Sequence, residues 1–441
     1  MSQSHAPQLG PGAELRIGGV DLRIVGLLGE GSFGAVWCAK ILRGPSAGGE
    51  VALKEILCRS ETELMRAVME RKLLKFVTGP GVDLEESEVS RDSPALAAAK
   101  RFPSLVASEV EALGPDFWQV RLIMTKLAGK PLESVLDACL EELQMPDPQR
   151  SQLAQSGVKA ETCRLAAAST CALTMLQQLA PALYHLSSQA HHRDITPRNV
   201  LVDTRGGAHS WGLVDFGLAV DSSLWRTDLL THDIGGDGHY WPTSSWFVLA
   251  YGAHHLESYP ALLHEYEHCL DLHALGVTAL RTLMELWAPS HQTMDADGNG
   301  DTDWAQLSKM MRLRIAWSRF WEDIAHFWQP IFDAFSCGGA EALERLKSSY
   351  AHAGIHHMVS ANLCALRAAL RQLVEAASLP ALRSLCETLL VLIRPGKARE
   401  EPATWQAALA ALRPPTPATR SALCDALVGG RAATGNSQFA Q

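Results

Sequence analysis

Hydrophobic and polar positions divide the chain into an early part with a strand-like pattern and a longer part with a helical pattern. Residues 21–57 alternate short apolar runs with glycine turns, as in DLRIVGLLGEGSFGAVWCAKI, which predicts a twisted antiparallel sheet. Residues 61–76 repeat apolar side chains at helical spacing, so we expect an amphipathic helix packed on that sheet. The residues on its apolar side are Leu64, Val68, Leu73 and Phe76. Strand-like composition returns in FWQVRLIMTKL, residues 117–127.

The pattern becomes helical from about residue 131 onward. The helical runs cover residues 162–188, 271–287 and 304–328, and further helices extend to about residue 411. Two short β-like pieces, NVLVD at 199–203 and SWGLVDF at 210–216, predict a small hairpin within this part. The order of these patterns predicts an α+β fold, in which a small sheet-rich lobe precedes a larger helical lobe.

Composition narrows the classes of protein that fit this pattern. A chain of 441 residues with 47% apolar residues can bury a large core, while residues 1–20 and 411–441 are rich in Pro, Gly, Ala and Ser and predict disordered tails. The net charge of −9 gives no basic field, so we expect no nucleic-acid partner. The 10 cysteines form no CxxC pair, and neither a signal peptide nor a membrane span is evident, which favours a reduced, cytoplasmic protein.

The first candidate motif is the glycine-rich stretch GEGSFGAV at residues 29–36. Its glycines, Gly29, Gly31 and Gly34, would let a hairpin backbone approach phosphate oxygens, although a plain glycine turn between strands is the alternative. Lys54 follows in VALK, where it would point into a cleft and bind phosphate. Glu70 on the predicted helix is the candidate for holding that lysine; a surface ion pair with nearby lysines is its alternative.

The second set of motifs is more specific. HRD at 192–194, Asn199 five residues after the aspartate and DFG at 215–217 occur in the order of a phosphoryl-transfer site. Asp194 would orient the attacking hydroxyl and accept its proton, which requires an acceptor within hydrogen-bond reach. Asn199 and Asp215 would bind Mg²⁺, a hard cation that prefers oxygen ligands.

Together, these motifs resemble those of the eukaryotic protein kinase family, from about residue 21 to about residue 410. The resemblance implies a protein kinase-like fold, with a small antiparallel sheet and one helix at residues 21–124, a hinge at 125–128 and a mainly helical lobe at 129–410. It places insertions at about residues 78–101, 137–161, 244–265 and 288–303. It also implies ATP and Mg²⁺ as cofactors.

Further site residues follow only from this resemblance. Those around the adenine ring would be Val36, Ala52, Met124, Thr125, Lys126, Leu127 and Leu201. Those of the family's stacked regulatory spine would be Leu74, Leu105, His192 and Phe216, for which ordinary core packing is an equally valid description. Asp271 in DLHALG looks like the helix aspartate that anchors the catalytic loop.

The catalytic loop departs from the family at one position. Thr196 stands where serine/threonine kinases carry a lysine that neutralises charge on the transferred phosphate. One positive charge ~4 Å from the phosphate is worth about 4 kcal/mol at an effective dielectric constant near 20. Arg198 lies four residues after Asp194, where one branch of tyrosine kinases places a substitute arginine, so we expect Arg198 to supply the charge. The alternative is that Arg198 is a surface cation.

The segment after DFG matches the family least. In GGDGHYWPTSSW (235–246), Asp237 replaces the usual threonine, and no clean APE follows. Glu257 and Arg399 are the candidates for the ion pair that APE normally supplies. Arg193 could read a phosphate on this segment, for which Thr231 and Thr243 are the candidate acceptors.

Residues 295–304, DADGNGDTDW, are similar to a calcium-binding loop of the EF-hand type. Its candidate ligands are Asp295, Asp297 and Asn299, together with Asp301 or Asp303. Gln306 occupies the position of the bidentate glutamate, and Pro289 interrupts the preceding helix. We therefore favour an acidic surface loop and keep a Ca²⁺ site as the alternative.

The sequence as a whole predicts an active ATP-dependent protein kinase that phosphorylates a hydroxyl of a protein substrate in a signalling role. Serine or threonine is favoured over tyrosine by base rates within the family. A pseudokinase scaffold that binds nucleotide or a partner without phosphoryl transfer is the main alternative. A small-molecule kinase is a second one, although the intact HRD, Asn199 and DFG motifs count against both.

Overall fold

The computed structural model describes residues 9–31, 34–77, 98–144, 157–228, 234–287, 302–396 and 403–412. The chain forms two compact units. The first comprises Met1–Ala128, His185–His192 and Gly212–Ser223, and the second comprises Gly129–Tyr184, Arg193–Trp211 and Leu224–Gln441.

The first unit is built on a six-stranded antiparallel sheet with the order β1-β2-β3-β4-β6-β5. Its strands are β1 (Glu14–Ile17), β2 (Val20–Gly31), β3 (Gly34–Ile41), β4 (Glu50–Cys58), β5 (Leu105–Gly114) and β6 (Phe117–Thr125). Two further short strands of this unit, β8 (Ala190–His191) and β11 (Val220–Asp221), pair with each other.

Strand β4 shows why this sheet folds as it does. Successive side chains of a strand point to opposite faces, and both faces of the central strand β4 are buried. Val51 and Leu53 join a core cluster on one face with Ile24 and Ile123. Lys54, one position further along, therefore points to the opposite face.

Helix α1 (Glu61–Val77) packs on the sheet at strands β4, β5 and β6. It begins with a capping arrangement, because the Ser60 hydroxyl accepts the Glu63 N–H and the Glu63 carboxylate accepts the Arg59 N–H. The side chains it buries are Ala67, Glu70, Leu73 and Leu74. Of the predicted apolar residues, Leu73 is buried, whereas Leu64, Val68 and Phe76 are half-buried.

The second unit is mainly helical. Its helices are α2 (Leu132–Gln144), α3 (Gly157–Leu186), α4 (Ser222–Asp228), α5 (Thr243–Tyr251), α6 (Pro260–His268), α7 (Leu270–Leu286), α8 (Thr302–Asp333), α9 (Gly339–Ala353), α10 (Ile355–Ala376), α11 (Pro380–Leu392) and α12 (Trp405–Ala411), with α4 beginning in the first unit. Helix α7 is buried over most of its length. Helix α10 packs against α8 and α11, and α11 also contacts α7 and α12. The structure is thus a mixed α+β chain with an antiparallel N-terminal sheet and a helical C-terminal part, which is compatible with a kinase-like fold.

A small three-stranded sheet carries the catalytic-loop region. Strand β9 (Val200–Asp203) lies between β7 (Lys130–Pro131) and β10 (Ser210–Leu213). Pairing of Lys130 with Val202 and of Pro131 with Leu201 is antiparallel. The predicted hairpin at 199–216 is therefore part of a three-stranded sheet.

One of the predicted boundaries needs correction. Residues 14–17, inside the expected N-terminal tail, form β1, and Ile17 is fully buried. Four residues beside a Gly-Gly turn are too short to give a periodic signal. Residues 244–265 form most of helices α5 and α6 and bury Trp246 and Phe247; that they are an insertion stays a prediction. Taken together, most of the predicted insertions at 78–101, 137–161 and 288–303 and of the predicted tail at 411–441 lies outside the described residues, at positions 78–97, 145–156, 288–301 and 413–441.

Among the described helices, none combines the length and the apolar character that a membrane crossing requires.

Candidate active site

Lys54 forms the centre of a buried ion cluster in the first unit. Its ammonium lies 2.7 and 2.8 Å from the two Glu70 carboxylate oxygens and 2.7 Å from Asp215 Oδ1. The Lys54 and Glu70 side chains are only 4% and 2% exposed, whereas that of Asp215 is 34% exposed. A strand, a helix and the loop after β10 thus bring together three residues that are far apart in sequence.

Charge coupling fixes the protonation states in this cluster. Burial alone would lower the pKa of Lys54, but the Glu70 and Asp215 carboxylates outweigh burial and raise that pKa above its ordinary value. Burial opposes ionisation of Asp215, yet the Lys54 ammonium outweighs burial and lowers the pKa of Asp215. Burial raises the pKa of Glu70 in spite of the neighbouring ammonium. Lys54 and Asp215 are therefore charged at neutral pH.

The DFG residues hold Asp215 in place. Asp215 has φ 69°, a left-handed conformation that aspartate tolerates better than most residues, and its Oδ1 accepts the Gly217 N–H at 3.1 Å. Phe216 is 1% exposed and packs its ring against His192 and Phe102 at centroid distances of 5.1 and 5.7 Å. His192 and Leu74, which with Phe216 belong to the expected spine, are fully buried in the same unit.

The glycine-rich stretch forms the hairpin of β2 and β3, with Gly29 opposite Val36 and Gly31 opposite Gly34. Gly34 is required by the fold itself, since its φ is 121° and an added Cβ would lie 1.9 Å from the Glu55 carbonyl oxygen. A Cβ at Gly29 or Gly31 would meet no atom within 4 Å. The fold does not require glycine at these two positions, and their role towards phosphate stays a prediction.

The residues expected around adenine lie in both units. In the first unit, Ala52 and Met124 are cross-strand partners and both are buried, and Val36 lies on the neighbouring strand. Lys126 pairs with Glu50 at 2.6 Å, a contact that raises the pKa of Lys126. Leu201, on β9, belongs to the second unit.

The catalytic-loop candidates lie in the second unit. The Asn199 side-chain amide donates to the Asp194 backbone oxygen at 2.9 Å and to its carboxylate at 2.7 Å. Helix α7 anchors the loop, because Asp271 Oδ1 accepts the Arg193 N–H at 2.8 Å and the Thr278 hydroxyl donates to the Ile195 carbonyl at 3.0 Å. Asp194 and Asn199 are thereby fixed relative to each other.

Arg198 reaches towards two carboxylates. Its guanidinium lies 3.4 Å from Asp237 Oδ2 and 3.9 Å from Glu133 Oε2, and its side chain is 62% exposed. Thr196, in contrast, is 3% exposed, and its carbonyl accepts the N–H groups of Asn199 and Val200. Thr196 therefore shapes the turn of the loop, while Arg198 is the cation on its surface.

The segment after the DFG motif packs closely on the catalytic loop. Asp237 caps the 3-10 turn Gly238–Tyr240 and accepts hydrogen bonds from the His239 backbone N–H and ring. Burial opposes ionisation of Asp237, but the bonds from His239 outweigh it and lower the pKa of Asp237. Gly236 has φ 87°, and an added Cβ would lie 2.5 Å from the Arg193 carbonyl oxygen.

Residues 138–225 match the Phosphotransferase enzyme family, a kinase-like superfamily. The match covers less than a quarter of the chain, and it does not distinguish eukaryotic protein kinases from other phosphotransferases. No curated protein matches the chain. The family-level result supports a phosphoryl-transfer enzyme of kinase type.

The match to this phosphotransferase family includes only part of the site. Asp194, Asn199 and Asp215 lie within it, whereas Lys54 and Glu70 precede it. The contact of Lys54 with Glu70 and Asp215 is therefore an observation independent of the family match.

Sequence reasoning missed one buried acid near this segment. Glu265 is 5% exposed and accepts the Ser244 N–H at 2.7 Å, and burial raises its pKa to about 7. Glu257, the predicted residue, is exposed on the 3-10 segment Ala253–Ser258, and Arg399 lies outside the described residues. A glutamate in the polar run HEYEH gives no sign in the sequence that its side chain is buried.

The calcium-loop candidates Asp295, Asp297 and Asn299 also lie outside the described residues. Elsewhere, over the described parts of the chain, no group of three or more His, Cys, Asp or Glu side chains could hold a metal ion.

Proposed function

We propose that the protein transfers the terminal phosphoryl group of ATP to a hydroxyl group of its substrate. The observation that carries this proposal is the buried Lys54 ammonium, which contacts both Glu70 and Asp215. A lysine paired with a helix carboxylate is the arrangement that kinases use to bind nucleotide phosphates. Burying the Lys54–Glu70 pair is a poor means of stabilising a fold, so a role in binding accounts for it better.

Each catalytic candidate has a task that follows from its chemistry. Lys54 binds phosphate oxygens, and Glu70 holds its ammonium in position. Asp194 accepts a hydrogen bond from the attacking hydroxyl and orients it, while the Asn199 amide fixes the Asp194 carboxylate. Arg198 offsets negative charge on the transferred phosphoryl group in place of the lysine that Thr196 replaces.

The donor atoms fit Mg²⁺. Asp215 is an anionic carboxylate with a partly exposed side chain, and Asn199 provides an amide oxygen, both of which are ligands that Mg²⁺ prefers. We assign these two residues as the magnesium ligands. Bound Mg²⁺ would neutralise phosphate charge and favour departure of ADP.

For the phosphate acceptor, we propose a serine or threonine hydroxyl of a protein. Support comes from the segment 235–246, which resembles a peptide-binding stretch in sequence and packs against the catalytic loop through Gly236 and Asp237. A hydroxyl of a small molecule is the second candidate. It is favoured by the match of residues 138–225 to the Phosphotransferase enzyme family.

Radiolabelled ATP with purified protein tests these proposals. We expect label transfer to generic protein substrates, loss of at least about a hundredfold in Asp194→Asn, and unchanged transfer in the matched control Asp203→Asn. Asp203 pairs with the exposed Arg205 at 2.8 Å. Transfer only to small hydroxyl compounds would select the second candidate. ATP binding without transfer to any acceptor would contradict an enzymatic role and favour a scaffold.

A further inference from the structure

Arg193 has a backbone conformation that its surroundings must maintain. Its φ of 66° lies in the left-handed region, which disfavours residues with a Cβ such as arginine. The Arg193 N–H donates to Asp271 on helix α7 at 2.8 Å. Arg193 directly precedes Asp194, so the conformation at 193 sets the direction of the catalytic candidate.

The Arg193 side chain rests on an aromatic surface. Its guanidinium carbon lies 4.9 Å from the centroid of the Trp225 ring. Trp225 is 1% exposed, donates its indole N–H to the Tyr266 carbonyl at 3.1 Å, and packs its ring 5.4 Å from the Tyr266 ring. Cation–π contacts strengthen when both partners are shielded from water. Helix α4 therefore places a fixed aromatic partner under the arginine of the catalytic loop.

We propose that Trp225 is a positioning residue, which holds the Arg193 guanidinium and so keeps Asp194 in its phosphoryl-transfer geometry. The proposal rests on the proposed function. Trp225 is neutral and belongs to the folded core, so its hold on Arg193 needs no charge added after synthesis. The catalytic loop then reaches its active conformation in the unphosphorylated chain. This proposal differs from the expectation that Arg193 binds a phosphate group on the segment after the DFG motif.

The first arm of the test separates positioning from packing. In Trp225→Leu, which keeps an apolar side chain but removes the aromatic face, we expect kcat to fall at least about tenfold while KM for ATP stays within about threefold. Trp225→Phe, with an aromatic face, should recover most of the kcat. Leu224→Ala on the same helix, at an exposed position, is the matched control and should behave as wild type.

A double-mutant cycle shows whether Trp225 acts through Arg193. If it does, Trp225→Leu in an Arg193→Met background lowers kcat no further than Arg193→Met alone. Additive losses would overturn the proposal, and so would a wild-type kcat in Trp225→Leu. Enzyme freed of phosphate by a phosphatase, with its mass verified, should keep its full kcat, and a large loss would also overturn the proposal.

Hydrogen exchange does not depend on phosphoryl transfer, so it tests the positioning role of Trp225 separately from the proposed function. Hydrogen exchange of the segment 191–201 should be faster in Trp225→Leu than in wild type, and near wild type in Trp225→Phe. Equal exchange in Trp225→Leu and wild type would overturn the positioning role, whatever the activity. Absence of any transfer by wild-type enzyme, together with faster exchange in Trp225→Leu, would overturn the proposed function and leave the anchoring of Arg193 intact.

Discussion

At the scale of single residues, Lys54 links the chemistry of the site to the stability of the fold. Its one positive charge balances two carboxylates, of which Glu70 is almost fully buried. Replacing one partner of a buried ion pair destabilises a protein more than replacing both partners with apolar residues, because the remaining charge lacks both water and its counterion. Lys54 should therefore matter for folding as well as for nucleotide binding.

We predict that Lys54→Met destabilises the protein by about 3 to 5 kcal/mol near pH 8, and by less near pH 5.5. Burial already raises the pKa of Glu70, and loss of the ammonium raises it further. A raised carboxyl pKa gives stability that is present at low pH and is lost as pH rises through the folded-state pKa. Urea unfolding at the two pH values measures the difference.

Lys72→Met is the matched control for that experiment. Lys72 lies on helix α1, as Glu70 does, and pairs with Asp221 at 2.8 Å, but its side chain is 64% exposed. We expect it to cost less than about 1 kcal/mol, as exposed pairs do. Equal losses of unfolding free energy in Lys54→Met and Lys72→Met would contradict the prediction, because burial would then add nothing to the ionic contacts of Lys54.

Arg198 carries the second prediction at this scale. Its exposure brings solvent screening, so its charge is worth less than the ~4 kcal/mol of a shielded site and more than the ~1 kcal/mol of bulk water. We expect Arg198→Ala to lower kcat by about 10- to 100-fold and to leave KM for ATP within about threefold. Steady-state kinetics checks this, with Arg205→Ala, at a somewhat more exposed arginine, as the control. An unchanged kcat would mean that Arg198 is only a surface cation.

At the scale of elements, helix α7 carries both Asp271, which anchors the catalytic loop, and a buried histidine, His273. His273 is 1% exposed, and no hydrogen-bond partner for either ring nitrogen occurs among the described residues. Burial lowers the pKa of His273 to about 3. The folded chain therefore keeps this ring neutral, whereas in the unfolded chain the ring takes up a proton as pH falls below about 6.5.

We predict that His273→Leu makes the protein more resistant to acid. A depressed folded-state pKa gives stability that is present above the unfolded pKa and is lost as pH falls towards the folded one. The variant should therefore gain about 2 kcal/mol relative to wild type between pH 7 and pH 5, measured by urea unfolding. His352→Leu, at an exposed position on α9, should show no comparable gain. A constant difference between His273→Leu and wild type across this range would contradict the prediction.

The helices and strands also show how much of the structure could be predicted from the sequence. Motif spacing was sufficient to choose Lys54, Glu70 and Asp215 as a group, since chemistry restricts the residue types at such a site, and the structure brings these three into contact. Their roles in catalysis stay predictions. Periodicity predicted the sheet and α1, but it did not predict that Glu70 is buried, because a buried charge does not register in an apolar pattern. The contact between Trp225 and Arg193 could not be predicted from the sequence, because it depends on tertiary packing.

At the scale of the whole molecule, we expect nucleotide binding to raise the thermal stability of the folded chain. A ligand that binds only the folded state stabilises it by about 2.7 kcal/mol at a hundredfold excess over its Kd. For a chain of this length, we expect MgATP to raise the melting temperature by roughly 3 to 5 °C. Differential scanning fluorimetry measures this shift without any need to know the phosphate acceptor.

The dependence of that shift on Mg²⁺ separates the proposed ligands from the rest of the site. In Asp215→Asn the anionic oxygen is lost, so the extra stabilisation by MgATP over ATP with a chelator should shrink, while the shift with ATP alone should remain. Lys54→Met should instead reduce both shifts, since Lys54 is assigned to the phosphates. Asp221→Asn is the matched control: Asp221 pairs with the exposed Lys72, so this variant should leave both shifts unchanged. Equal responses of Asp215→Asn and Asp221→Asn to Mg²⁺ would remove Asp215 from the metal site, and because Asn199 alone is a neutral ligand, the assignment of a magnesium site to this chain would fail with it.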